Sequence, residues 1–178
     1  MKKNTQWMTV TALGIALFVV FSLVLRIPVF GRFYLCLGYL VMGIYCYHFG
    51  TLSGTLVGSI GVLFYCLVVS SLGGMIGWFL GNIVIGIAVG GTCRLTRGIS
   101  SEPLRLVLII LAAILSTAVG MLVIKSAYES LLSGLPFSVR AAANSAAFFA
   151  DSAVLAVSIP LARGLKPILT KQFPELVK

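Results

Sequence analysis

Asp151 stands in the run "AAFFADSAVLAV", an acid well inside an apolar stretch. A charged group near the centre of a bilayer is costly, and such a residue is a functional hypothesis by default. It can bind the polar end of a ligand or a cation. It can also be protonated, or hydrogen-bonded to a neighbouring helix for structural reasons. Arg140 opens the same run, Asn144 follows one turn in, and Phe148 shares their face at i+4 spacing. That face can hold a ligand with both polar and aromatic parts. At 1.5 Å of rise per residue, Asp151 lies about 16 Å of helix beyond Arg140.

A second constellation is Trp78 with Asn82 one turn deeper. The indole can stack on a flat heterocycle or anchor the chain at a membrane interface. An amide in hydrocarbon needs a partner, so Asn82 makes either a ligand contact or an interhelical hydrogen bond. Lys125 ends another apolar run, near Ser126 and Tyr128. The segment "RIPVFGRFY" offers Arg26, Arg32 and Tyr34 as a lid, with Pro28 and Gly31 favouring a turn. The two arginines can instead snorkel to headgroups.

Other chemistry is not expected. The single histidine, His48, has no second ligand near it in sequence. Cys36, Cys46, Cys66 and Cys93 form no CxxC pair, so neither a metal site nor a disulfide framework is expected. The four thiols read as small buried hydrophobes. No HExxH, acid pair or nucleophile with a base suggests an enzyme, so no residue is assigned as catalytic. No GxxxxGK[ST] occurs, so this chain is not expected to bind ATP.

The elements that position these residues follow from composition. The 178 residues are 60% hydrophobic and 10% charged, with a mean hydropathy of +1.11. A soluble domain of this size needs far more polar surface, and several runs reach the roughly 20 residues of a transmembrane helix. The chain reads as an all-α integral membrane protein, one transmembrane domain over residues 1–178. Six spans are expected in a compact bundle, at about Trp7–Leu25, Tyr34–Phe49, Thr51–Leu72, Met75–Cys93, Leu104–Ile124 and Val139–Leu161. The first is too long for a signal h-region and no small-residue cleavage site follows it, so it reads as a retained helix.

The net charge of +9 suits topology better than nucleic acid, because the basic residues sit at the ends of apolar runs. With the N-terminus inside, Lys2, Lys3, Arg94, Arg97, Arg105, Arg163, Lys166, Lys171 and Lys178 fall in the cytoplasm. Arg26, Arg32, Lys125 and Arg140 fall outside. Nine against four favours two cytoplasmic termini, as an even number of spans requires. The external side then has four basic residues and one acid, Glu129, a lean toward an anionic ligand. Gly50, Gly54 and Gly58, at i, i+4 and i+8, are expected to line a packing face of the third helix, because small residues let membrane helices approach closely.

Three stretches carry a resemblance to a known family. "ALGIA" gives Ala12-x-x-x-Ala16, "FGTLSGTLVGSIG" opens the third span, and "GWFLGNIVIGIAVG" places the pair Gly81–Asn82 in a glycine-rich fourth span. In order and at this length they resemble the substrate-binding S component of energy-coupling factor (ECF) vitamin transporters. The second stretch resembles the family's "GPLxGALVGAIGD", departing from it at Val62, where many relatives have Asp. The resemblance implies a prokaryotic plasma-membrane subunit that captures a vitamin or related small molecule near the external face. It then docks on a transmembrane coupling subunit carrying two ATP-binding-cassette ATPases, which bind and use the ATP. Ala12 and Ala16 match the signature by which S components meet that subunit. The likeness places the ligand under the first external loop and against the outer halves of the last three helices. The candidates there are Arg32, Tyr34, Trp78, Asn82, Lys125, Arg140, Asn144, Phe148 and Asp151. The rival readings are a self-contained transporter or channel acting as a homo-oligomer and a small integral-membrane enzyme.

Overall fold

The computed structural model describes residues 2–24, 27–30, 33–69 and 73–177. The chain forms α1 (Lys2–Val24), a short antiparallel ribbon of β1 (Ile27–Phe30) and β2 (Phe33–Leu35), α2 (Gly38–His48), α3 (Thr51–Val68) and α4 (Met75–Leu95). Then come α5 (Glu102–Ser133) and α6 (Phe137–Gln172). Apart from the ribbon, the regular elements among the described residues are helical.

Among the described residues, five helical stretches are long and apolar enough to cross a membrane: those of α1, α3, α4, α5 and α6. Their outward residues are apolar too. Leu104, Val107, Leu111, Leu115, Val119 and Val123 run along α5 at helical spacing, each about half exposed or more. Such a stripe is a liability in water; against lipid tails it is the expected surface. The segment expected as a second span, Tyr34–Phe49, divides differently. Its first residues belong to β2, and α2 has 11 residues, about 16 Å of helix against roughly 30 Å of hydrocarbon. Nine of the residues of α2 are buried. A helix that is apolar all round belongs in an interior, and α2 packs against α1, α3, α4 and α6.

Glycine makes these approaches possible. A Cβ at Gly54 would come within 2.7 Å of the backbone nitrogen of Cys46, so α3 rests there on the main chain of α2. Gly58 faces Met42, and Gly61 faces Phe18 of α1. In α4, Gly86 and Gly90 meet the Cα atoms of Thr55 and Thr51, while Gly81 meets the carbonyl of Gly120 in α5. Gly50, expected on the same face of the third helix, is not part of α3. It precedes α3 at φ 94°, a backbone conformation L side chains rarely adopt, and so makes the turn from α2 into α3.

The winding of α5 changes partway. It is α-helical to Thr117, π-helical over Ala118–Lys125 and α-helical again from Ser126. The Ser126 hydroxyl donates to the carbonyl of Met121, five residues back, at 3.0 Å. A π stretch rotates the residues beyond it around the helix axis, and here it orients Lys125, Ser126 and Glu129 toward α6. Gly134, at φ 69°, ends α5 as a left-handed cap.

Gly54→Leu drives a branched side chain into the backbone of α2 and should cost about 1–3 kcal/mol or more. It is expected to lower the folded yield and melting midpoint on fluorescence-detected size exclusion. Gly91→Leu, where a Cβ meets nothing within 4 Å, should leave both near wild type. A normal midpoint for the Gly54 variant would show that the α2–α3 contact does not set stability.

Candidate functional site

The predicted polar residues gather at the end of the bundle that holds the ribbon, the start of α4, the end of α5 and the start of α6. They form two hydrogen-bonded groups with Asp151 near both.

The first group joins three helices. The Trp78 indole N–H of α4 donates to the Tyr39 hydroxyl of α2 at 2.9 Å. That hydroxyl donates to Asn82 Oδ1 at 2.6 Å, and Asn82 Nδ2 donates to the carbonyl of Gly58 in α3 at 2.9 Å. Tyr39 and Asn82 are fully buried. Asn82 therefore has an interhelical partner at both ends of its amide, one of the two roles its position allows. Gly58 itself faces Met42 of α2, where a Cβ would meet the sulfur. Tyr65 stands edge-on to Trp78, ring centroids 5.8 Å apart, and Phe18 edge-on to Tyr39 at 6.0 Å. These rings give the group an aromatic wall.

The second group centres on Asn144 of α6, which is buried. Its Nδ2 donates to Ser126 Oγ at 3.0 Å and to Glu129 Oε2 at 2.9 Å. Its Oδ1 accepts from the Lys125 ammonium, which also pairs with Glu129 at 3.1 Å. Both charged side chains are nearly buried, at 13% and 12% exposure, so the pair is held by more than surface attraction. Arg140, a turn before Asn144, donates from Nε to Ser133 Oγ at 3.1 Å. Arg140, Glu129 and Ser133 help line a cavity of about 240 Å³ with Gly73 and Gly74.

Asp151 is 2% exposed, two turns further along the inward stripe of α6. Among the described residues its Oδ2 has no hydrogen-bond partner. It lies within electrostatic range of Lys125 of the second group and of Tyr39 of the first. A buried carboxylate oxygen without a donor is an exception that calls for an explanation. Phe148, half-buried between Asn144 and Asp151, packs against the core and tilts onto Phe149 with centroids 5.0 Å apart.

The structure thus brings together Trp78, Asn82, Lys125, Asn144, Phe148 and Asp151. Arg140 stands at the rim. Tyr34 falls in β2, paired in register with Pro28. Arg26 and Arg32 lie outside the described residues. Of the charges behind the lean toward an anionic ligand, Lys125 is matched by Glu129, which leaves Arg140 together with Arg26 and Arg32. Counting charges by side could not see that pairing, although the i, i+4 spacing of the two residues could have suggested it. Sequence reasoning missed Tyr39, which carried no signal beyond its place in an apolar run. Elsewhere, His48 Nε2 donates to the carbonyl of Ala162 at 2.7 Å, tying α2 to α6. The four cysteines are free buried thiols.

Tyr39→Phe removes the hydroxyl that both receives from Trp78 and gives to Asn82. Two buried polar groups then lose a partner, at about 1–3 kcal/mol. The melting midpoint is expected to fall well below that of wild type. Equal midpoints would mean that water replaces the hydroxyl.

The family model described as "ECF-type riboflavin transporter, S component" matches residues 2–166. The fold is similar to the crystal structure at 2.1 Å of the S-component for biotin from an ECF-type ABC transporter, with a TM-score of 0.62 and 14% identity over 93% of each chain. A search of the curated proteins finds no match. A glycine-packed bundle with lipid-facing helices, a buried polar and aromatic cluster at one end, and a family match over nearly the whole length lead to one assignment: the chain belongs to the family of S components of ECF-type riboflavin transporters, substrate-binding subunits for vitamin uptake.

Proposed function

We propose that this multi-pass membrane protein captures riboflavin at the end where the two polar groups meet. The match over residues 2–166 to the riboflavin family carries the reading. The chemistry of the site supports it. Riboflavin is uncharged, with a flat tricyclic ring, imide and amide groups, and a chain of hydroxyls. Trp78, Tyr65 and Phe148 offer aromatic surface for the ring. Lys125 with Asn144 and the unpartnered Oδ2 of Asp151 offer an internally neutralised donor set and one free acceptor. A ligand N–H or O–H donated to Asp151 would satisfy an oxygen that otherwise has no donor. Biotin, the ligand named for the similar solved structure, carries a carboxylate, and the pairing of Lys125 leaves less to recognise it.

In this reading the spans number six, α2 and the ribbon together completing the second. Both termini are cytoplasmic, in a prokaryotic plasma membrane. Arg94, Arg97, Arg163, Lys166 and Lys171 then sit inside, as basic residues do. Ala12 and Ala16 are both exposed on α1, so neither is used up in packing within the chain. They offer a smooth strip to a coupling subunit, whose two partner ATPases bind and hydrolyse ATP.

Riboflavin fluorescence provides the test. Titrating purified protein should quench it with one site per chain and submicromolar affinity, and biotin should not compete. Asp151→Asn replaces the free acceptor by an amide of the same shape and should weaken binding about tenfold or more. Absence of quenching by folded protein would sink the riboflavin assignment. Full affinity in the Asn variant would remove Asp151 from the site.

The docking strip is tested separately. Ala12→Trp with Ala16→Trp should abolish uptake in cells carrying the ATPase module while riboflavin binding by the purified chain stays intact. Undiminished uptake would show that the strip faces only lipid.

A further inference from the structure

At the opposite end of the bundle, a cavity of about 410 Å³ is lined by Gly50, Thr51, Leu52, Arg94 and Arg97. The proposed vitamin site does not use it. Two helix ends make it: the first turn of α3 and the last residues of α4 with the adjoining 3₁₀ turn, Thr96–Gly98. Both arginines are exposed. Among the described residues neither has an acidic partner. Of the four acids, Glu129 is bound to Lys125 and Glu102 to Arg163, Asp151 is buried near the other polar cluster, and Glu175 lies in the C-terminal tail. The first residues of α3 line the same space, and Gly50 gives the helix no side-chain cap.

Apolar surface borders this positive pocket directly. Leu52, part of the lining, is 62% exposed, and Leu95, beside Arg94, is 83% exposed. Because α3 begins and α4 ends here, the pocket lies at the level where a spanning helix meets water. An occupant suited to both surfaces carries an anion and a hydrocarbon chain on one molecule. We propose that this crevice holds the phosphate of an anionic phospholipid, with Arg94 and Arg97 on the phosphate oxygens and an acyl chain along Leu52 and Leu95. Guanidinium groups suit phosphate through their fork of donors, and basic pockets between membrane helices take anionic headgroups in this way. The retained lipid would brace the α3–α4 pair, whose packing depends on Gly86 and Gly90 just above.

The test is native mass spectrometry of the full chain released from nanodiscs of phosphatidylcholine with a minority of phosphatidylglycerol. Wild type is expected to retain one phosphatidylglycerol, bound about thirtyfold in preference to phosphatidylcholine, as two basic contacts imply. Arg94→Ala with Arg97→Ala should return the retained lipid to the disc ratio. Lys166→Ala with Lys171→Ala, which removes the same charge at the same end but outside the crevice, should leave the enrichment intact.

The proposal is overturned if wild type retains phosphatidylglycerol only at the disc ratio, a result that needs no variant to fold. It is overturned equally if the lysine pair matters as much as the arginine pair, which would mean diffuse attraction. Thermal stabilisation by inorganic phosphate matching that by phosphatidylglycerol would assign the crevice to a free anion. Unchanged enrichment in the arginine variant, together with lost capture of a coupling subunit, would assign the arginines to acids of that partner.

Discussion

The carbonyl of Gly120 lies 2.6 Å from where a Cβ of Gly81 would stand, and on contacts of this kind the bundle depends. Lipid tails are as apolar as leucine, so burying apolar side chains between membrane helices gains little. Close backbone approach supplies dispersion and short-range polar contacts instead. Gly54 against Cys46, Gly86 against Thr55 and Gly81 against Gly120 draw α2, α3, α4 and α5 together. In water glycine weakens a helix. Here its missing side chain is what permits the fold.

The same closeness settles the polar groups. Without water, each buried donor and acceptor needs a partner in the protein or in a ligand. Asn82 donates to the carbonyl of Gly58 on the neighbouring helix. Tyr39 and Trp78 complete the chain from one helix to the next. The π winding of α5 sets Lys125, Ser126 and Glu129 around Asn144. Two satisfied networks therefore stand beside one unsatisfied carboxylate oxygen, that of Asp151. A polar cluster that is complete, among the described residues, except at one oxygen is a reasonable form for a binding site, since the ligand contributes the missing donor and little reorganisation is needed.

The two ends of the bundle differ in charge and in its disposition. At the ribbon end, Lys125 is neutralised by Glu129 and shielded from solvent. At the other end Arg94 and Arg97 are exposed and, among the described residues, unpaired, and the ion pair of Arg163 with Glu102 is half exposed. A shielded, balanced site suits an uncharged solute; an open basic rim suits a membrane surface and its lipids.

Composition and hydropathy alone determined that the chain is a membrane protein, because residues facing lipid and residues facing the core must both be apolar. Apolar runs placed the starts of α1, α3, α4, α5 and α6 within about five residues but ended α5 and α6 about nine and eleven residues short, and small-residue spacing identified Gly54 and Gly58 as close-contact positions. The polar residues in those runs, Asn82, Asn144 and Asp151, stood out because each is costly where it lies. Tertiary structure alone decided how they pair. The partner of Asn82 is Tyr39, 43 residues away, and no local pattern distinguishes that tyrosine from its apolar neighbours. The turn at Gly50, the shortness of α2 and the π winding of α5 were equally hidden. Each depends on how a helix end meets its neighbours, whereas periodicity records only which side of a helix is apolar.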